Sequence, residues 1–209
     1  MTDPDTLFPL QAALGYDVAQ SIFIGNQNVL VEGVSDFIYI TAISDSLESA
    51  GRTHLLPSAR LLPAGGATNI PTFIALLGNQ LDIVVVLDGG ADLQRVQNAI
   101  VRGRLDESRV LNLESYSTVT KADIEDLFEP SEYLTLYNGA FSGSVKMAEL
   151  KGKDRIVKRI ERQRGSEYNH GIVAAYFLRN LTKSLASLSE PTLDRFEKLI
   201  DAINKALPS

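Results

Sequence analysis

The residues best suited to chemistry are carboxylates standing at the ends of apolar runs. Glu32 closes Asn28-Val-Leu-Val-Glu32, and Asp36 follows across Gly33, Val34 and Ser35. Asp88 ends the run Leu81-Asp-Ile-Val-Val-Val-Leu87, and Asp92 follows across Gly89, Gly90 and Ala91. A third acidic group is Asp123-Ile-Glu125-Asp126, with Glu129 just beyond. Ligands of open α/β sheets bind in the crevice outside the carboxyl ends of the strands. If the two acid-ended strands are neighbours, Glu32 and Asp88 point into one crevice. Hard oxygen donors without cysteine or histidine beside them suit Mg²⁺ or Mn²⁺ better than zinc. Glu125 and Asp126 offer ligands for a second ion, and two divalent ions can clamp both oxygens of a phosphodiester under attack. Plainer readings stand beside these. Asp36 can be a favourable charge at a helix start, Asp92 a helix cap, and the third group an exposed acidic turn.

Other candidates carry less pattern. Gly65-Gly66-Ala-Thr-Asn69 precedes a helix, and its backbone N–H groups could receive a phosphate, or it is only a strand-to-helix turn. It lacks the Lys-Ser/Thr ending of a Walker A loop. His170 opens a helix and is a candidate for a catalytic or phosphate-contacting role. His54 lies in a loop with no partner that the sequence identifies. Lys151, Lys153, Arg155, Lys158, Arg159, Arg162 and Arg164 crowd one stretch. Lys158 and Arg162 are its candidates for holding nucleic-acid phosphates, and a solvated helix face is the alternative.

These residues need a scaffold that alternates strand and helix. Strands are predicted at 28–32, 59–62, 81–87 and 109–113, the two most apolar being central and covered on both faces. Helices are predicted from Ser35 to Ala50, from Asn69 to Leu77 and from Asp92 to Arg104, with Ser35 and Asn69 as caps. A doubly wound sheet follows from that alternation. Ala122 to Phe128 reads as a short acidic helix, and Ser131 to Asn138 as a strand or an irregular loop. Helices are expected at 153–164, 168–188 and 191–207. The domain plan is a helical lead-in over 1–24, a catalytic core over 25–150 and a C-terminal helical part over 151–209 packed on it.

The net charge of −6 argues against a passive nucleic-acid binder, but not against an enzyme whose metal ions meet the phosphate. Absence of cysteine excludes disulfides and thiolate metal sites. The opening residues show no basic stretch followed by an apolar run, and no run has membrane-spanning length. A cytoplasmic location with no membrane contact is the expectation.

Leu30-Val-Glu-Gly-Val-Ser-Asp36 and Val86-Leu-Asp-Gly-Gly-Ala-Asp92 resemble the two acidic motifs of a Toprim domain. Phe8-Pro-Leu-Gln-Ala-Ala-Leu-Gly15, Leu62-Pro-Ala-Gly-Gly-Ala-Thr-Asn69, Ile124-Glu-Asp-Leu-Phe128 and the Tyr168–Phe177 segment narrow the match. Together they resemble the C-terminal nuclease region of OLD-family ATP-dependent endonucleases over nearly the whole chain. The resemblance implies a Rossmann-like, mostly parallel sheet flanked by helices, with added C-terminal helices. It implies a DNA endonuclease or nickase using two Mg²⁺ or Mn²⁺ ions. Glu32 would be a ligand or general base, with Asp36, Asp88, Glu125 and Asp126 as further ligands. The second acid of the Asp-x-Asp pair would fall at Gly90, so Asp92 is expected to supply it. His170 stands where the family often places a lysine. DNA and an ABC-type ATPase domain, which this chain does not contain, are the implied partners, and a homodimer is left open. A catalytically weakened module for DNA binding or assembly is the alternative, kept alive by Gly90. Another phosphoryl-transfer or nucleotide-binding enzyme on a related sheet is the third reading.

Overall fold

The computed structural model describes residues 27–77, 82–89, 96, 100, 101 and 105–208. The lead-in over 1–24, Gly90, Asp92 and most of the helix expected over 92–104 lie outside the described residues. Within them a sheet of parallel strands runs in the order β2-β1-β3-β4, with β1 at Gln27–Val31, β2 at Ala59–Pro63, β3 at Asp82–Leu87 and β4 at Val110–Asn112. Helix α1 (Val34–Ser49) follows β1, and α2 (Ile70–Leu77) follows β2. After β4 come α3 (Pro130–Phe141), α4 (Ile156–Arg164), α5 (Gly171–Arg179), α6 (Leu181–Ala186) and α7 (Glu190–Ala206). This is an α/β, Rossmann-like sheet flanked by helices with further C-terminal helices, consistent with the expected Toprim architecture.

The two-residue period of a strand divides the apolar runs between two cores. Val29, Val31, Val84 and Val86 enter the larger core with Tyr39, Phe128, Phe177 and Phe196. Leu30, Ile83, Val85 and Leu87 enter the smaller one with Ile70, Ile74, Val96 and Leu105. Both faces are therefore covered, which is why β1 and β3 read as continuous apolar runs rather than alternating ones. In the larger core, Tyr39 on α1 meets Phe128 and Phe177 edge-on at centroid distances of 4.9 and 5.3 Å. Phe128 meets Phe196 of α7 at 5.2 Å. The C-terminal helices thus share the core that supports the first strand-to-helix turn.

Several local expectations change. Residues 130–141 form a helix, with Pro130 in its first turn and Tyr133, Leu134, Leu136 and Tyr137 buried at helical spacing. The segment 122–128 contains only a 3-10 turn, Ile124–Leu127. The long helix expected over 168–188 is broken at Asn180, whose φ of −115° and ψ of 33° leave the helical region. Ser35 does not cap α1; Gly33 occupies the cap position, and its N–H donates to Asp36 Oδ2 at 2.9 Å. Asn69 ends a 3-10 turn and donates back to the carbonyls of Ala64 and Gly65, so it staples the glycine loop.

Candidate functional site

β1 and β3 are hydrogen-bonded neighbours in parallel register, Leu30 opposite Val85. Their carboxyl ends therefore deliver Glu32 and Asp88 side by side. Glu32 Oε1 accepts the Asp88 N–H at 2.9 Å, which ties the two strand ends together. The first turn of α1 adds Asp36, and the 3-10 turn before α3 adds Glu125. Glu32, Asp36, Asp88, Glu125 and His170 line one cleft of about 350 Å³, with Gly65 and Gly66 on its wall. The glycine loop fits there because Gly65 and Gly66 have φ of 74° and 121°, conformations a side chain would oppose. The Gly66 N–H donates to the Glu32 carbonyl at 2.8 Å, so this loop supports the Glu32 backbone.

The electrostatics of the cleft are dominated by buried acids. Burial, then the Glu125 charge, pushes Asp36 up to about 8, against the pull of the Gly33 N–H. Burial, followed by the charges of Asp36, Glu32, Asp123 and Glu125, pushes Asp88 up to about 10. Asp88 Oδ1 is buried without a hydrogen-bond partner. Asp36 and Asp88 therefore hold their protons at neutral pH unless positive charge joins them.

Two cations of the chain stand against the acids. His170 Nδ1 lies 2.9 Å from Glu125 Oε1, and Glu125 itself is only 1% exposed. That hydrogen bond outweighs the burial of the imidazole and raises it to about 9. His170 is therefore an imidazolium at neutral pH, with Nε2 left as its second donor. Arg155 Nη1 pairs with Asp123 Oδ1 at 2.5 Å. Asp123 still rises to about 6, because burial and Glu125 outweigh Arg155. Neither the Arg155 contact nor the His170–Glu125 pairing is visible locally, since each joins distant segments.

The remaining candidates separate from the cleft. Asp126 accepts the N–H of Ile156 at 2.8 Å through Oδ1 and that of Asp123 at 3.0 Å through Oδ2. It therefore fastens the start of α4, and Glu125 is the acid that the third motif presents to the cleft. Glu129 pairs with Arg195 at 2.7 Å. Lys158 pairs with Glu161 at 2.7 Å and Arg162 with Asp154 at 2.6 Å. His54 lies 3.6 Å from Glu48, and its carbonyl accepts from Asn204 at 2.7 Å. Asp92 lies outside the described residues.

The donor set fits a hard divalent cation in charge and chemistry: oxygen ligands, excess negative charge and an unsatisfied Asp88 oxygen. Among the described residues, no three acidic or histidine side chains are gathered closely enough to hold one ion. No described helix is long and apolar enough to cross a membrane. No family model matches the chain, and no curated protein matches it. Among solved structures, the chain is similar to the C-terminal region of the Xanthomonas campestris pv. campestris OLD protein, at 15% identity over 87% of this chain and 96% of that one, with a TM-score of 0.47.

Proposed function

We propose that the cleft binds divalent metal, Mg²⁺ or Mn²⁺, and hydrolyses phosphodiester bonds of DNA. The observation that carries this reading is the convergence of Glu32, Asp36, Asp88 and Glu125 on one cleft in which Asp88 Oδ1 is buried and unpartnered. Glu32, Asp36, Asp88 and Glu125 would hold the metal, with Asp92 proposed from the sequence as a further ligand. Bound divalent metal supplies a water of lowered pKa and positive charge for the phosphoryl oxygens. Glu32, which lines the cleft, would serve as the general base. His170, kept charged by Glu125, lines the same cleft and can donate to a phosphoryl oxygen or to the departing oxygen. Lys158 and Arg162 would contact flanking phosphates, exchanging their present carboxylate partners for DNA. The proposal includes action beside an ATPase domain carried elsewhere.

The test is nicking of supercoiled plasmid by the purified chain with Mg²⁺ or Mn²⁺. Activity should appear with either ion and stop in EDTA. Cleavage that ignores the chelator would overturn the reading. A second reading, DNA binding with weak or lost cleavage, is favoured by the absence of three closely gathered ligands among the described residues. Plasmid binding without nicking over a full Mn²⁺ titration selects it.

A further inference from the structure

Ser142 and Lys121 are the described non-glycine residues that hold positive φ, at 51° and 57°. Ser142 follows the last residue of α3, where a left-handed residue is an ordinary way to end a helix. Lys121 ends no helix. Left-handed backbone is unfavourable for a residue with a side chain and persists where the surroundings impose it. The surroundings here are the end of β3. The Gly89 N–H donates to the Ala122 carbonyl at 2.8 Å. A Cβ on Gly89 would lie 2.7 Å from both Ala122 N and Lys121 Cα. The turn therefore sits without clearance on the residue that follows Asp88. Ala122 is fully buried while Lys121 is exposed, so the backbone is anchored and the lysine faces solvent.

Charge gives this placement a use. His170, the cation that lines the cleft, is already paired with Glu125, and Arg155 is paired with Asp123. Lys158 and Arg162 are paired as well. Lys121 enters none of the ion pairs found among the described residues. For a nucleic-acid strand approaching a cleft of carboxylates, a free cation nearby adds to the metal's charge in offsetting repulsion of the flanking phosphates. We propose that Lys121 binds a backbone phosphate of the nucleic acid next to the end of β3 that carries Asp88, its backbone held there by the left-handed turn against Gly89. The proposal rests on the reading of the cleft as a nucleic-acid site.

Binding of a fluorescein-labelled DNA duplex, followed by anisotropy with Ca²⁺ in place of Mg²⁺ between 50 and 200 mM salt, tests it (roughly the range over which phosphate contacts dominate the salt response). Lys121→Gly accepts positive φ freely and removes the amine. Lys121→Gln keeps the backbone restriction and removes only the charge. Both should weaken binding about three- to tenfold and make the salt slope shallower by about 0.9. Lys121→Arg should keep affinity and slope. Wild-type affinity and slope in both Lys121→Gly and Lys121→Gln would overturn the role of Lys121 while leaving the cleft reading intact. Failure of the wild-type chain itself to bind the duplex would overturn both.

Discussion

Two aspartates of adjacent motifs show how much a carboxylate's role depends on its partners. Asp126 has both oxygens filled by backbone N–H groups, whereas Asp88 has a buried oxygen with none. Asp126→Ala should therefore lower stability by about 1–3 kcal/mol, the cost of orphaning buried donors, while leaving the Mn²⁺ affinity unchanged. Asp88→Asn should do the opposite. Its acid is pushed up to about 10 and is protonated at neutral pH without metal, so the amide replaces a neutral group. Stability in chelator should hold, while Mn²⁺ affinity and plasmid nicking should be lost. Thermal melts and calorimetric Mn²⁺ titration of the two variants check this pair, and equal effects on both readouts would show that the assignment of roles is mistaken. Glu32 and Asp88 stand out in the sequence because each ends an apolar run. Glu125 does not stand out from Asp126 beside it, because both are acids in the same short turn. Only the fold turns one to the cleft and the other to the start of α4. The His170–Glu125 pair is also invisible locally, spanning 45 residues with no shared motif.

At the scale of elements, the site depends on strand ends and on the loops seated against them. The end of β3 is clamped by the 121–122 turn through Gly89. Gly89→Ala would drive a methyl group into backbone atoms that have no side-chain freedom to yield. The expected cost is about 1–3 kcal/mol in urea unfolding, with a fall in nicking greater than that stability loss explains, because Asp88 moves with the turn. Wild-type stability and activity in this variant would mean that the turn has more room than its contacts indicate. The strands were legible because parallel strands covered on both faces read as continuous β-branched runs. Helix α3 was not. Its tyrosines and Thr135 suit a strand as well as a helix, and periodicity over so short a stretch does not decide between them. The break at Asn180 was hidden for a related reason, since neither glycine nor proline marks it.

Across the whole molecule, the buried acids link the site to stability. Asp36 rises to about 8, Asp88 to about 10 and Asp123 to about 6, all from values near 4. Between those limits the native state holds more protons than the unfolded chain. The stability these groups contribute is then complete below about pH 4 and is lost as pH rises through the folded values. His170, raised to about 9, acts in the same direction over its own window. The melting temperature in EDTA should therefore fall from pH 5 to pH 9, and Mg²⁺ or Mn²⁺ should flatten that fall by favouring the ionised acids. A melting temperature that climbs with pH in EDTA would contradict the clustering of acids.

The sequence by itself determined that two apolar strands end in acids, that strand and helix alternate through the first half, and that no thiolate site exists. Those features are local, because a strand's covering and the residue at its end are written in consecutive positions. Only the tertiary structure decided that β1 lies beside β3, that Glu125 rather than Asp126 reaches the cleft, and that His170 carries a charge. It also decided that the Lys121 turn rests on Gly89. Each of these is set by contacts between segments far apart in the chain, and electrostatic shifts depend on burial and neighbouring charge rather than on residue type. The physics of the site resides in that convergence, which no stretch of residues records alone.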